Sequence, residues 1–497
     1  MKYISTRDKS IGLTSSQAIA KGISSEGGLF VPETIPELSY EKIKSLIPLD
    51  YIQRAKEILK LFLTDFSADE LDYCVENAYK EGKFSSEKVA PTVSVYDNVN
   101  LIELWRGPTC AFKDMALQLL PYLLTVSAKK ACPDEKIVIL VATSGDTGKA
   151  ALEGFRDVPN TEILVFYPVD GVSPMQKLQM TTQEGENVNV CAIKGNFDDA
   201  QNGVKAIFTN KEIEEKFKAN SLAFSSANSI NWGRLVPQIV YYVSAYCDLV
   251  EQGKIELGDK MNVVVPTGNF GNILAAFYAK EMGVPIKKLI CASNANNVLT
   301  DFINTGVYDK NRQFYMTASP SMDILISSNL ERLLFLLSDM DDRFVSDIMN
   351  QLKTTGRYEV PKKVLSALQD SFAAGFCDDE ATKKTIKETY EKYNYLCDTH
   401  TAVAVNVAND YIAKTGDRTP MVIASTANPY KFSKSVLSAL TDDVKSTDEF
   451  SMVDELNELT GVPVPVQLAS LKNKTPRFNN VSSKEEMPKV VLNMLGL

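Results

Sequence analysis

Apolar positions follow two different rhythms along this chain. Near the start they recur at helical spacing, over Tyr51–Phe62 and over residues 68–80. From about residue 90 they gather into short unbroken runs. Lys136–Ala142, residues 162–166, Val188–Ile193, residues 261–265, residues 288–292 and residues 421–424 read as strands with few polar positions. Helical patterns separate most of them, such as residues 173–183, where Ser173 provides a cap and Pro174 opens the first turn. Continuous apolar strands alternating with helices predict an α/β protein whose parallel sheets are covered on both faces. In such sheets ligands bind beyond the carboxyl ends of the strands.

This patterning divides the chain. Residues 1–88 read as a mainly helical N-terminal domain, with a turn and short extended piece over residues 27–32. Residues 89–435 read as a catalytic region of two parallel-sheet lobes, the smaller over about residues 130–250. A mostly helical insertion is expected at about 300–415, containing the apolar stretch Leu333-Leu334-Phe335-Leu336-Leu337. Residues 436–497 read as a polar C-terminal extension ending in a helix near 488–495. A length of 497 residues fits several domains and leaves room for a large core.

Charge and composition narrow the chemistry. The chain carries 53 basic and 63 acidic residues, for a net charge of −10, without a Lys/Arg-rich block. Long-range attraction to nucleic acid or to an anionic membrane is therefore not expected. No apolar run approaches the roughly 18 residues of a transmembrane helix, and the first residues lack a signal core. The 8 cysteines form no Cys-x-x-Cys pair, which suits reduced thiols and a cytoplasmic protein. His400 is the single histidine, which excludes a multi-histidine metal site; no metal is expected, and His400 itself is read as a structural residue.

Candidate chemistry lies in the loops. Lys113 sits in Gly107-Pro108-Thr109-Cys110-Ala111-Phe112-Lys113-Asp114-Met115, among apolar residues. It is either a surface lysine whose stem covers apolar neighbours or a desolvated amine able to attack carbonyls. Pro266-Thr267-Gly268-Asn269-Phe270-Gly271-Asn272 links a strand to a helix start, where backbone N–H groups and the helix dipole favour a phosphate. An ordinary strand-to-helix turn is the alternative. Thr143-Ser144-Gly145-Asp146-Thr147-Gly148-Lys149 ends in Gly-Lys but lacks the first glycine and the Ser/Thr of a nucleotide P-loop. It suits a carboxylate or a phosphate instead. Asn228, Ser229, Asn231 and Arg234 fall within seven residues before an apolar helix, an arrangement that caps the helix or binds a phosphate dianion. Ser425-Thr426-Ala427-Asn428 follows the last strand and offers hydroxyls there.

Taken together these stretches resemble threonine synthase, a pyridoxal 5′-phosphate (PLP) enzyme with a fold like the tryptophan synthase β subunit. The likeness runs from Tyr3-Ile4-Ser5-Thr6-Arg7 and Glu26-Gly27-Gly28-Leu29-Phe30-Val31-Pro32 through to Lys431-Phe432. It implies Lys113 as the Schiff-base lysine, Gly268, Asn269, Phe270, Gly271 and Asn272 as the cofactor-phosphate loop, and Thr426 opposite the pyridine nitrogen. It implies that Ser144, Asp146 and Thr147 hold the substrate carboxylate, and that Asn228, Ser229 and Arg234, with Asn231 in support, hold its phosphate. The implied reaction is O-phospho-L-homoserine plus water giving L-threonine and phosphate, in a monomer or homodimer. Asp146 stands where many relatives of the wider fold carry asparagine; Asn428 and Arg106 each stand where the family often has histidine. A related phosphohomoserine lyase, a dehydratase giving 2-oxobutyrate, and a non-catalytic PLP-binding paralogue are the alternatives.

Overall fold

The computed structural model describes residues 1–170, 172–208 and 210–497. Two sheets organise it. The larger has six strands in the order Phe372–Phe376, Ile286–Ser293, Met261–Pro266, Met421–Ser425, Val99–Glu103 and Thr92–Tyr96. All its pairings are parallel except the last, where Thr92–Tyr96 turns back antiparallel on Val99–Glu103. At its centre Val264 lies opposite both Ile290 and Ile423. The smaller sheet has five parallel strands in the order Val481–Ser482, Val188–Ile193, Thr161–Pro168, Lys136–Ala142 and Leu222–Ser225. Both are buried on their two faces, which is why their strands read as unbroken apolar runs.

The predicted strand Lys136–Ala142 and the predicted strand Val188–Ile193 form over the expected residues. Five strands of the two sheets escape the pattern: Thr92–Tyr96, Leu222–Ser225, Phe372–Phe376 and Val481–Ser482 at sheet edges, and Val99–Glu103 inside the large sheet. Residues 300–415 are mostly helical, yet they do not stand apart from the sheet. They supply its edge strand Phe372–Phe376, and helix Thr399–Thr415 buries Val403, Ala404 and Val407 against Val264, Ile290 and Ile423. The N-terminal segment is mainly helical as expected, with a small antiparallel sheet ordered Gly12–Leu13, Tyr3–Ser5, Phe30–Pro32.

Helix Trp232–Glu251 joins these parts. It is apolar almost throughout and nearly every residue is buried. Trp232 packs on Tyr3 with ring centroids 5.4 Å apart, on Phe62 at 5.8 Å and on Tyr278 at 5.4 Å, so one side chain gathers the N-terminal sheet, helix Tyr51–Phe62 and helix Gly271–Glu281. Among the described residues no helix is long and apolar enough to cross a membrane, all eight cysteines are free, and no His, Cys, Asp and Glu cluster could hold a metal.

Candidate active site

The stretch around Lys113 is held by its own carboxylate. Asp114 accepts from the Thr109 amide at 2.8 Å and from the Thr109 hydroxyl at 2.7 Å, closing the loop into a tight turn. A Cβ on Gly107 would lie 2.6 Å from the Cβ of Asp114, so the turn requires glycine there. The turn is stitched to the loop after strand Met421–Ser425: the Phe112 amide donates to the Thr426 carbonyl at 2.8 Å and the Asn428 amide to the Cys110 carbonyl at 3.0 Å. Lys113 and Thr426 are thereby fixed beside each other at the carboxyl end of the large sheet. Lys113 is half-buried, with its ammonium 4.8 Å from the centre of the Phe112 ring. Burial lowers its pKa to about 8; Asp146 opposes the drop, while Lys431 and Arg234 reinforce it.

Asp146 opens helix Asp146–Phe155 from the smaller sheet. Its side chain is buried and pairs with Lys431 Nζ at 2.8 Å, and it accepts from Gln176 Nε2 at 3.0 Å. Burial disfavours the carboxylate, but Lys431 and then Lys113 outweigh it and hold the group well below the usual carboxylate range. Lys431, 0% exposed, also donates to the Thr109 carbonyl at 2.9 Å. Asp146 thus lies beside Lys113 as a carboxylate with its charge already matched by Lys431. Ser144 is exposed and Thr147 half-buried in the same loop. The Thr143 hydroxyl shapes it by accepting from Gly145 at 3.0 Å and Gly148 at 2.8 Å, with Gly145 at φ 135°.

The Gly268–Asn272 loop has its carbonyls tied back. Asn329 donates to the Asn269 carbonyl from its amide at 3.1 Å and from Nδ2 at 3.0 Å, and the Ser327 hydroxyl donates to the Gly268 carbonyl at 2.7 Å. A Cβ on Gly268 would lie 2.8 Å from the Ser321 carbonyl oxygen. Phe270, at φ 63°, takes the left-handed conformation that turns the chain into helix Gly271–Glu281. The first N–H groups of a helix have no carbonyl a turn behind them, so they face outward from this loop. Asn272 is buried, and its Oδ1 accepts from Tyr241 at 2.8 Å and from Tyr242. Its Nδ2 is buried without a partner among the described residues.

The fourth loop divides its residues between structure and site. Asn228 and Ser229 are half-buried. Asn231 is fully buried and committed to the protein: its amide donates to the Ile19 carbonyl at 3.0 Å and the Ser226 carbonyl at 3.1 Å, and its Oδ1 accepts from Gly233 at 2.9 Å. The resemblance expected Asn231 to support a substrate; the geometry makes it the cap of helix Trp232–Glu251 instead. Arg234 is 4% exposed and donates from Nη1 to the Ala227 carbonyl, while its Nε is buried without a partner among the described residues. Burial lowers its pKa to about 10, which leaves it a cation.

Lys431, Gln176 and Asn329 hold this site and were not singled out in the sequence. Lys431 only closed the stretch that carries the resemblance, and its partner Asp146 lies in a distant loop. The Ser173 cap was legible; that Gln176 completes a capping box with it and also reaches Asp146 was not. His400 is structural. Its Nδ1 donates to Asp398 at 2.9 Å and its Nε2 accepts from the Ser321 amide at 3.1 Å, buttressing the segment behind Gly268.

Comparison with known proteins agrees with this arrangement. The model "Pyridoxal-phosphate dependent enzyme" matches residues 103–426, flanked by "Threonine synthase N terminus" over residues 2–79 and "Threonine synthase, C-terminal" over residues 401–491. A threonine synthase of Pseudomonas aeruginosa is 39% identical over 88% of this chain and 90% of its own length. The chain belongs to the threonine synthase family. As a member of that pyridoxal-phosphate dependent fold it takes PLP as its cofactor. The crystal structure of PLP-bound threonine synthase from Brucella melitensis superposes with a TM-score of 0.88 at 36% identity, covering 99% of each chain. Human threonine synthase-like 1 is 42% identical over 88% of this chain, but the match spans only 59% of that protein's length.

Proposed function

We propose that this family member converts O-phospho-L-homoserine and water to L-threonine and phosphate, in the cytoplasm and without nucleic-acid or membrane partners. The observation that carries the reading is a half-buried lysine of lowered pKa with a buried, unpartnered donor in each of two loops, Asn272 Nδ2 and Arg234 Nε. Buried polar atoms are rarely left unpaired, so each donor is a hydrogen bond still to be met. The Gly268–Asn272 loop fits the cofactor phosphate, because tied-back carbonyls and a helix start leave its N–H groups for an anion. Lys113 fits covalent attachment, since its amine is neutral at ordinary pH far more often than a solvated lysine.

With the loops in those roles the residues divide the work. PLP, when bound, supplies the electron sink. Thr426 would offer its ring nitrogen a neutral hydroxyl, and Asp146, matched by Lys431, would be the carboxylate beside its ring oxygen. Ser144 and Thr147 hold the substrate carboxylate. Lys113 moves protons at Cα and Cβ, a task its lowered pKa suits. Arg234, with Asn228 and Ser229, receives the substrate phosphate and stabilises the charge that develops as it leaves Cγ. A related phosphohomoserine lyase, or a dehydratase giving 2-oxobutyrate, is the second reading. Purified holoenzyme given O-phospho-L-homoserine separates them. Threonine and phosphate in equal amounts support the proposal, and phosphate with 2-oxobutyrate sinks it.

A further inference from the structure

We infer that Arg332 is a positioning residue that sets the distance between the cofactor-phosphate loop and the substrate-anion loop. The inference rests on the proposed reading of the Asn228–Arg234 loop as the substrate-phosphate site. Arg332, on helix Leu330–Leu337, is fully buried, and each of its nitrogens is directed to a different part of the molecule. Nη2 donates to the Ile230 carbonyl at 2.6 Å, in the middle of the anion loop. Nη1 donates to Asn329 Oδ1, and Asn329 in turn holds the Asn269 carbonyl with two donors, at 3.1 and 3.0 Å. Nε donates to the Phe30 carbonyl at 3.0 Å, in the N-terminal sheet. One guanidinium therefore spans both loops through a chain of four groups: Ile230 carbonyl, Arg332, Asn329 and Asn269 carbonyl.

The chemistry of the side chain matters here. A buried cation whose hydrogen bonds all go to neutral oxygens is costly, and an apolar side chain of similar volume would fill the space more cheaply. The planar fork is what lets one residue fix three oxygens at set angles, and lysine's single ammonium cannot reproduce it. Neighbouring Glu331 shows the contrast. It accepts from Thr6 at 2.6 Å and from Arg7 at 2.6 and 3.3 Å, so it fastens only the N-terminal segment. The helix start thus carries two fasteners: Glu331 holds the N-terminal segment alone, and Arg332 joins that segment to both anion loops.

The test measures binding, with inorganic phosphate and PLP as the probes. Holoenzyme is titrated with inorganic phosphate by calorimetry, and PLP retention is followed by absorbance on dilution. Arg332→Lys is expected to weaken both by about tenfold, since each loop loses a charge-assisted hydrogen bond behind it. Asn329→Ala removes the Nδ2 bond to Asn269 and the Oδ1 that receives Arg332 Nη1, but keeps the backbone amide bond to Asn269 and leaves the Arg332–Ile230 bond in place. It should therefore weaken PLP retention and leave phosphate binding within about twofold. Glu331→Gln should lower the melting temperature and move neither constant. Arg332→Lys that melts earlier but binds both probes like wild type overturns the inference. Wild-type holoenzyme that binds no phosphate, or binds it equally after Arg234→Ala, overturns instead the reading of the loop on which the inference rests.

Discussion

Burial pulls the Lys113 ammonium toward its neutral form while Asp146 pulls it back, and burial prevails, with a pKa near 8 against roughly 10.4 for a solvated lysine. Between these values the unfolded chain binds more protons than the folded one. The stability of the PLP-free protein therefore carries its full cost below pH 8 and gains as pH rises through about 8 to 10.4. The same shift sets reactivity. Covalent uptake of PLP by the PLP-free protein should quicken by about tenfold per unit from pH 6.5 to 8 and level off above it. A rate that is flat across that range contradicts the assignment. Lys113 was legible from its apolar neighbours only once the strand-end loops around it were read as anion sites. Lys431 was not, because a buried lysine is recognised by its counter-ion, and Asp146 lies at the helix start that follows a strand of the other sheet.

Elements were legible where burial imposed a period. Tyr51–Phe62 and Lys136–Ala142 could be bounded from apolar spacing alone, because each presents enough buried positions to fix a pattern. The edge strands Phe372–Phe376 and Val481–Ser482 are too short for a period and exist by pairing with a neighbour already in the sheet. The start of helix Trp232–Glu251 shows how one motif serves two purposes. Asn231→Ala removes its cap and two carbonyl contacts and should cost about 2–3 kcal/mol in urea unfolding while phosphate binding by the folded fraction stays near normal. Arg234→Ala should do the reverse, lowering kcat/KM by roughly 30- to 1000-fold, equivalent to about 2–4 kcal/mol, with a smaller change in stability. Equal effects of both on either quantity would dissolve the distinction between cap and ligand.

Across the whole molecule, the Lys431–Asp146 pair ties the loop after the large sheet to the first helix turn after a strand of the small one. It acts as a buried cross-lobe bond, satisfied further by Thr109 and Gln176. Removing one partner strands the other charge, so Lys431→Met should destabilise by about 3–5 kcal/mol. Combining it with Asp146→Asn should cost clearly less than the sum of the two single changes. Additivity to within about 0.5 kcal/mol would mean the pair is not coupled. The two-lobed α/β plan could be read from alternating strands and helices, and the role of residues 300–415 could not, since nothing local marks Phe372–Phe376 as the edge of a sheet begun nearly three hundred residues earlier.

On the proposed function, phosphate leaves Cγ by elimination near Arg234 and water then adds at Cβ with Lys113 moving the protons. Turnover of O-phospho-L-homoserine in ¹⁸O-labelled water tests it most directly, with both products analysed by mass spectrometry. Threonine should carry one ¹⁸O in its hydroxyl and phosphate none, because the Cγ–O bond breaks and phosphate keeps its bridging oxygen. Labelled phosphate with homoserine, or unlabelled phosphate with 2-oxobutyrate and no threonine, would contradict it.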